Sequence, residues 1–486
     1  MAQTQKEEGT WPAHADAPLG WLTDAEYAAG VLPVKFTSAV VPNEGVGTCL
    51  DAGPGWTIYM HSIRRLLRCD SAEFDVAHVT GDLWELKPTD CFAGFDGGVP
   101  VTVPLIGEFW QIFETDCMPR WYVAAPDAVP KVLRCMDTED PRGYSAPITG
   151  QNWKRTVDDH NRLMGAASRY EKAAPDAVST DERWQIVPTP LMLEVLGHPS
   201  VDAFCVYVND AAGALPHGDT AALLRADLVT AGASVAEEQS EASCTLHIST
   251  GVVDSYAQVS GGYTLRVEPG CATVVGHDQA GALYGAQSFL TLLGRAEGSR
   301  LPVLQMVDAP RLPVRAVQID VARHFRSPGQ IIKLLAQMSR YKLNKLHLSL
   351  TNDEGWRLEI PQLPELTTVG GRRCHSDSSD ISERTALLPQ LGSGPTQNSA
   401  GSSGFYSVEE YTEIVHAARV RGIEVIPELN MPAHARAAVV SMEARYHNCM
   451  DRGDAAGAAE FRLLDPDDTS QCTENCNINA KSSIFY

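Results

Sequence analysis

Apolar positions recur along this chain at three different periods, and the periods divide it. Residues 20–175 hold short alternating runs punctuated by glycine and proline: VLPVKFTSAVV, WTIYMHSIRRLLRC, FDVAHVTGDLWEL, GVPVTVPLIG and FWQIF. Short strands at this spacing predict an antiparallel β-sandwich. Residues 176–310 open on IVPTPLMLEVLG and close on YTLRVEPGCATVVGHDQAGALYGAQSFLTLLGR. That closing piece reads as a strand, a Pro-Gly turn, a second strand and a helix with Leu283, Phe289, Leu290 and Leu293 on its apolar face, an α+β pattern. From 311 to 486 strands and helices alternate. PVRAVQIDV is a strand, and Ser327 with Pro328 starts a helix carrying Ile331, Leu334, Leu335 and Met338 at helical spacing. KLHLSL is the next strand. A Ser/Gly-rich connection over about 375–404 precedes the helix SVEEYTEIVHAARVRG, the strand IEVIPEL and the helix MPAHARAAVVSMEARYHNC. Such alternation predicts parallel strands joined by crossover helices.

Each strand of the third zone ends in polar groups. The first leads to Asp320, Arg323 and His324, the second to Asn352, Asp353, Glu354 and Trp356, the third to Glu428, Asn430 and His434. In parallel α/β folds the carboxyl ends of the strands open on one face, where ligands bind. Each cluster also has a plainer reading: TNDEG as a solvated turn, Arg323 as an ion-pair partner of Asp320, His434 as a residue near a helix start. Three clusters at equivalent positions in successive units favour convergence on one mouth.

Composition narrows the partners. Apolar residues make up 44% and charged residues 21%, ordinary for a globular chain, while the net charge of −22 repels nucleic-acid backbones and anionic membranes. A neutral sugar is indifferent to that charge. No run of about 18 apolar residues offers a membrane span, and the N-terminus lacks a basic and apolar leader. The twelve cysteines are compatible with several disulfides, whose pairing the sequence leaves open. His447, Cys449, Cys472 and Cys476 match no structural zinc spacing well. Trp56, Tyr59, Trp84, Trp110, Trp121 and Tyr122 read either as sandwich core or as sugar-stacking platforms.

The segments DVARHF, YKLNKLHLSLTNDEGWRLEIPQLPELT and RGIEVIPELNMPAHARAA resemble the start of the catalytic barrel of family 20 glycoside hydrolases, the β-N-acetylhexosaminidases of chitobiase-like multidomain type. HSIRRLLRC, HVTGDLWELKPT and FWQIFETDCMPRWYVA resemble the carbohydrate-binding-type sandwich of that family, and the 176–310 zone resembles the domain preceding its barrel. The resemblance implies an N-terminal β-sandwich, an α+β middle domain and an incomplete (β/α) TIM barrel of about three units. It implies release of terminal N-acetylglucosamine from chitobiose or chitooligosaccharides by substrate-assisted catalysis, in which the acetamido oxygen attacks the anomeric carbon. An Asp steadies that acetamido group and a neighbouring Glu protonates the leaving oxygen. No metal or organic cofactor is implied, because the substrate supplies its own nucleophile. The expected partners are N-acetylglucosamine-containing oligosaccharides, and the expected substrate-binding residues are Arg323, Asn352, Asp353, Glu428, Asn430 and His434. The family is typically secreted, periplasmic or lysosomal.

The likeness also has gaps. The family's Asp-Glu pair belongs to a fourth strand, after glycine, and no Gly-Asp-Glu occurs before Tyr486. The expectation is therefore a chain that stops inside its barrel, holds no catalytic pair and does not turn over substrate. The other reading is a non-catalytic sugar- or chitin-binding protein with a vestigial barrel. Asn352-Asp353 stands where the family usually has Asp-Asp, Asn430 where it has an acid, and Ser349 where a histidine is common. Three parallel strands are further expected to leave an apolar interior uncovered and an edge unpaired.

Overall fold

Strand pairing builds the sheets around which each part of the molecule is organised. The computed structural model describes residues 31–36, 55–94, 101–107, 116–144, 170–171, 186–202, 205–211, 213–238, 244–296, 300–378, 385–397 and 401–459. Contacts divide the chain into two units, one of residues 1–174, 368–403 and 440–462, the other of 175–367, 404–439 and 463–486. The run FWQIF, with Trp110, lies outside the described residues, as do Cys49, Cys472 and Cys476.

The first unit has two antiparallel sheets. Strands β1 (Val31–Phe36), β6 (Val101–Gly107) and β3 (Leu66–Cys69) pair in the order β1-β6-β3. The second sheet runs β4-β5-β2-β7-β8, from β2 (Thr57–His61), β4 (Phe74–Thr80), β5 (Leu83–Pro88), β7 (Tyr122–Ala124) and β8 (Lys131–Val132). Alternation decides the faces: Ile58 and Met60 of β2, Leu86 of β5, and Val103 and Leu105 of β6 are buried in one shared core. Trp56, Trp84 and Trp121 join that core, and Tyr122 is fully buried, so these aromatics pack inside rather than forming a sugar platform. The Ser/Gly-rich connection is partly built into this unit. The Leu391 N–H donates to both carboxylate oxygens of Asp82 at 2.8 and 2.9 Å, Asp82 also meets His61 Nδ1 at 3.0 Å, and Arg120 Nη1 donates to the Gly392 carbonyl at 2.6 Å.

The second unit carries a seven-stranded sheet and a three-stranded one. The larger runs β11-β10-β12-β14-β13-β15-β9, from β9 (Met192–Asp202), β10 (Cys205–Asp210), β11 (Ser234–Ala236), β12 (Cys244–Thr250), β13 (Tyr263–Glu268), β14 (Cys271–Gly276) and β15 (Arg300–Asp308). Helices α1 (Thr220–Thr230) and α2 (Gln279–Leu293) bury Leu224, Leu228, Leu283, Phe289, Leu290 and Leu293 in the core of this sheet. Gly281 permits the close docking of α2: a Cβ there lies 2.0 Å from the Gly262 carbonyl oxygen. Asp278 caps α2, accepting from Gly281 N–H at 2.8 Å, Ser260 Oγ at 2.8 Å and Gly261 N–H at 3.0 Å.

Strands β16 (Ala316–Asp320), β17 (Lys345–Ser349) and β20 (Glu424–Glu428) form a parallel sheet in the order β16-β17-β20. Leu346 and Leu348 face helices α3 (Pro328–Arg340) and α4 (Val408–Arg419), packing with Ile331, Leu335, Met338, Ile414 and Ala418. Capping starts both helices. Ser327 N–H donates to Gln330 Oε1 at 2.9 Å, and Ser407 exchanges bonds with Glu410. No closed barrel occurs among the described residues. The expectation of an uncovered apolar interior is overturned. The face opposite the helices carries Gln318, Lys345, His347, Ser349, Glu424 and Glu428, with Ala316 and Ile426 as its apolar members. Lys345 pairs with Glu424 across it, and His347 Nε2 meets Glu428 at 2.6 Å. Period-2 alternation sends these polar residues to one side because Leu346 and Leu348 already claim the other.

None of the described helices is long and apolar enough to cross a membrane. The nine described cysteines are free thiols. Burial raises the Asp278 pKa, but Gly281, Ser260 and Gly261 together outweigh it and hold the carboxyl below its ordinary value. Asp278→Ala is therefore expected to lower stability at pH 7 by about 1–2 kcal/mol. The wild-type advantage is fully present above the unfolded carboxyl pKa of about 3.9 and fades as pH falls through the lower folded value. Urea titrations of both proteins at pH 7 and pH 3 measure the convergence.

Candidate active site

In-register parallel pairing sets Asp320, Ser349 and Glu428 in one row across the three strands, so the segments that follow them leave from the same edge. After β16 the chain turns at once. Asp320 Oδ1 accepts from the Arg323 N–H at 3.0 Å, and Asp320 Oδ2 from Arg323 Nη1 at 2.6 Å. The same guanidinium donates through Nη2 to Asn352 Oδ1 at 3.1 Å and has Nε 3.3 Å from Glu354 Oε2. Nη1 and Nη2 thus each have an acceptor on the rim and Nε an ion-pair partner in Glu354, while 41% of the side chain stays exposed. Partial burial works against the charge of Arg323, but Asp320 and Glu354 outweigh it and raise its pKa above the ordinary arginine value. His324, in the same turn, is exposed.

The stretch TNDEGW is a two-residue hairpin, with β18 (Thr351–Asn352) antiparallel to β19 (Gly355–Trp356). It is a turn, but one built inward: Asn352 is 3% exposed and Trp356 is buried, its Nε1 donating to the Leu358 carbonyl at 2.6 Å. A Cβ at Gly355 lies 2.6 Å from the Ala322 carbonyl oxygen, which ties the hairpin closely to the Arg323 turn. At the hairpin tip Asp353 reaches the third segment. Its Oδ2 lies 3.1 Å from His434 Nδ1, and its Oδ1 accepts from the Arg436 N–H at 3.1 Å, at the first residue of helix α5 (Arg436–Asp451). A carboxylate against a helix N-terminus is favoured electrostatically. His434, 60% exposed, holds a left-handed backbone (φ 56°), a conformation that a side-chain-bearing residue adopts at a cost and that recurs at functional sites.

Glu428 and Asn430 belong to a layer beneath. Glu428 Oε1 accepts from Ser349 Oγ at 2.8 Å and Asn430 Nδ2 at 3.1 Å, while its Oε2 faces His347 and Gln318 Nε2. Asn430 also donates through Nδ2 to the Thr351 carbonyl at 3.0 Å. Arg323, Asn352, Asp353 and His434 are thus joined by successive contacts on the rim, with Glu428 and Asn430 beside Thr351 as their support. Asn352 supplies Arg323 with a neutral acceptor, and the charge opposite the guanidinium comes from Asp320 and Glu354.

Sequence reasoning passes over Arg357. Its guanidinium is fully buried, donating through Nε to the Val321 carbonyl at 3.0 Å, through Nη2 to that of Ala322 at 2.8 Å and through Nη1 to that of Gly404 at 2.9 Å. Its Cζ stands 5.7 Å from the Phe325 ring centre. Arg357 therefore fixes the backbone turn that carries Arg323. No sequence signal separates it from an ordinary solvated arginine after a tryptophan. Arg357→Met is expected to cost at least about 3 kcal/mol by stranding the buried carbonyls of Val321 and Ala322 and the half-buried one of Gly404. Arg357→Lys should recover less than half, since an ammonium lacks the planar fork. Urea unfolding of the 486-residue chain, followed in the transition of the unit that carries Arg357, reads both.

Three sequence-family models match the chain in succession. They are a putative carbohydrate binding domain over residues 40–167, glycosyl hydrolase family 20, domain 2 over 184–309, and the glycosyl hydrolase family 20 catalytic domain over 313–482. N,N'-diacetylchitobiase of Vibrio harveyi is 45% identical over 431 residues, 88% of this chain and 47% of that protein. A beta-hexosaminidase of Vibrio vulnificus is 36% identical over 429 residues, 85% of this chain and 48% of that protein. The chain thus spans about half the length of these curated relatives. The crystal structure of a GH20 exo beta-N-acetylglucosaminidase from Vibrio harveyi in complex with N-acetylglucosamine matches with a TM-score of 0.58 at 23% identity, over 80% of this chain and 54% of that one. At that identity the likeness is one of fold.

Proposed function

Since this chain belongs to glycosyl hydrolase family 20, we propose that it serves a β-N-acetylhexosaminidase, its strand-end rim holding the terminal N-acetylglucosamine of a chitobiose-like oligosaccharide. In this reading β16, β17 and β20 are the first three strands of a (β/α) barrel, and Arg323 binds sugar hydroxyls in the innermost subsite. The observation that carries it is the locking of the Arg323 guanidinium by Asp320, Asn352 and Glu354 at the carboxyl ends of parallel strands, with part of its side chain still open to solvent. A guanidinium held in advance loses little freedom when it meets paired hydroxyls, and so gives orientation at small entropic cost. His434, oriented by Asp353, stands on the same rim as a second polar contact.

The chemical step needs more than this rim. Substrate-assisted hydrolysis calls for a carboxylate at the acetamido N–H and a carboxylic acid at the leaving oxygen. Asp353 and Glu354 are adjacent, but Asp353 is engaged by His434 and the Arg436 N–H, and Glu354 by Arg323. Neither is available as the proton donor. The 486-residue chain by itself therefore binds the sugar and does not hydrolyse it.

The rival reading, a non-catalytic sugar- or chitin-binding protein, takes support from the match of residues 40–167 to a putative carbohydrate binding domain. The burial of Trp56, Trp84, Trp121 and Tyr122 takes four of its candidate stacking residues into the core and leaves Tyr59 half-buried. Calorimetric or NMR titration with N,N'-diacetylchitobiose separates the two. Arg323→Met is expected to weaken binding at least about tenfold, the loss of one or more charge-assisted bonds. Binding unchanged by that substitution would shift the sugar site to the first unit. A chromogenic N-acetyl-β-glucosaminide should give no turnover with the 486-residue chain. Turnover abolished by Arg323→Met would place a proton donor where none is proposed.

A further inference from the structure

Away from the rim, the second unit brings together His217, Asp219 and His416, whose ligand atoms all lie within 4.8 Å of one another. His217 and Asp219 precede α1, with Asp219 at its N-cap position, and His416 lies in the last turn of α4. His217 Nδ1 is 3.4 Å and His416 Nε2 is 3.5 Å from the same oxygen, Asp219 Oδ2. The two imidazole rings stand edge to face, their centroids 5.3 Å apart and their planes at 86°.

These distances are long for hydrogen bonds to a carboxylate, which close to about 2.7–2.9 Å. They do match the edge of a coordination tetrahedron. Zinc–nitrogen and zinc–oxygen bonds of about 2.0–2.1 Å at the tetrahedral angle separate neighbouring ligand atoms by about 3.3 Å. The Nδ1 of His217 also accepts from the Asp219 N–H at 3.2 Å, a bond that coordination through Nδ1 replaces. The scaffold is firm as well. Thr220 Oγ1, next to Asp219, is buried and donates to the Val420 carbonyl at 2.8 Å, fixing the start of α1 to the end of α4.

We propose that His217, Asp219 and His416 form a binding site for a divalent transition-metal ion, zinc foremost, that clips α1 to α4. Two imidazoles and one carboxylate select zinc, nickel, cobalt or copper over calcium and magnesium, which take oxygen ligands. The exposure of Asp219 and His416 leaves the remaining coordination position to water. The ion joins helices outside the rim and takes no part in sugar binding, so this proposal stands or falls separately from the sugar-binding one.

The test uses the untagged 486-residue chain with its accessible thiols capped by N-ethylmaleimide, so that the free cysteines do not compete. Zinc titration by calorimetry is expected to show one site of micromolar or tighter affinity, weakened at least about tenfold by His416→Ala and by Asp219→Ala. A hundredfold excess of zinc over the dissociation constant should raise the midpoint temperature of the second unit by roughly 5–10 °C, reversed by EDTA. Cobalt substitution guards against variants that misfold. Wild-type protein should show the visible bands of a tetrahedral nitrogen–oxygen site without sulfur-to-cobalt charge transfer. No zinc bound, zinc bound equally by both folded variants, or a sulfur charge-transfer band would each overturn the site.

Discussion

The in-register parallel pairing of β16, β17 and β20 is the constraint on which the site depends. Parallel strands point their carboxyl ends the same way, so the rows that pair Val317 with Leu346 and Ile319 with Leu348 also align Asp320, Ser349 and Glu428. A shift of one residue in β17 would turn Leu346 and Leu348 away from α3 and α4. Burial of those leucines therefore fixes, at a distance, where Arg323, the hairpin at Asp353 and the His434 turn emerge. Packing on one face of the sheet sets the chemistry at its end.

Charge compensation then orders the rim. A single guanidinium is shared among Asp320, Glu354 and the amide oxygen of Asn352, and each carboxylate keeps a counter-charge within reach. A second guanidinium, that of Arg357, is held by the carbonyls of Val321, Ala322 and Gly404. The two arginines divide the labour. Arg357 spends its donors on holding the turn, and Arg323 is left at the surface with its orientation already set.

The first unit follows a different logic. Its two antiparallel sheets enclose tryptophans that composition alone leaves open to two uses, and their burial decides for packing. The segment 368–403, which includes most of the Ser/Gly-rich connection, is tied in at named points: Asp82 to the Leu391 N–H, Tyr122 to His375 at 3.2 Å, and the fully buried Arg373 to the Gln390 carbonyl at 3.2 Å. Among its described residues glycine marks tight backbone turns, as at Gly392 with φ 67° and Gly394 with φ 69°.

Much was legible in the sequence because it is local. Helical spacing at Ile331, Leu335 and Met338, the Ser-Pro start at 327–328, the strand–helix alternation and the polar strand ends all follow from neighbours a few residues apart. The motif resemblance added the family. What lay out of reach was every fact made by residues distant in the chain. Asp353 pairs with His434 across eighty-one positions, Arg357 is buried by carbonyls at 321, 322 and 404, and His217 meets His416 across α1 and α4. The polar face of the parallel sheet was misjudged for the same reason: alternation assigns residues to two faces, but only packing against α3 and α4 says which face is inside. Local pattern specifies the elements, whereas partners distant in the chain are chosen by the fold, because an ion pair or a carbonyl clamp forms only where the assembled chain brings both of its members together.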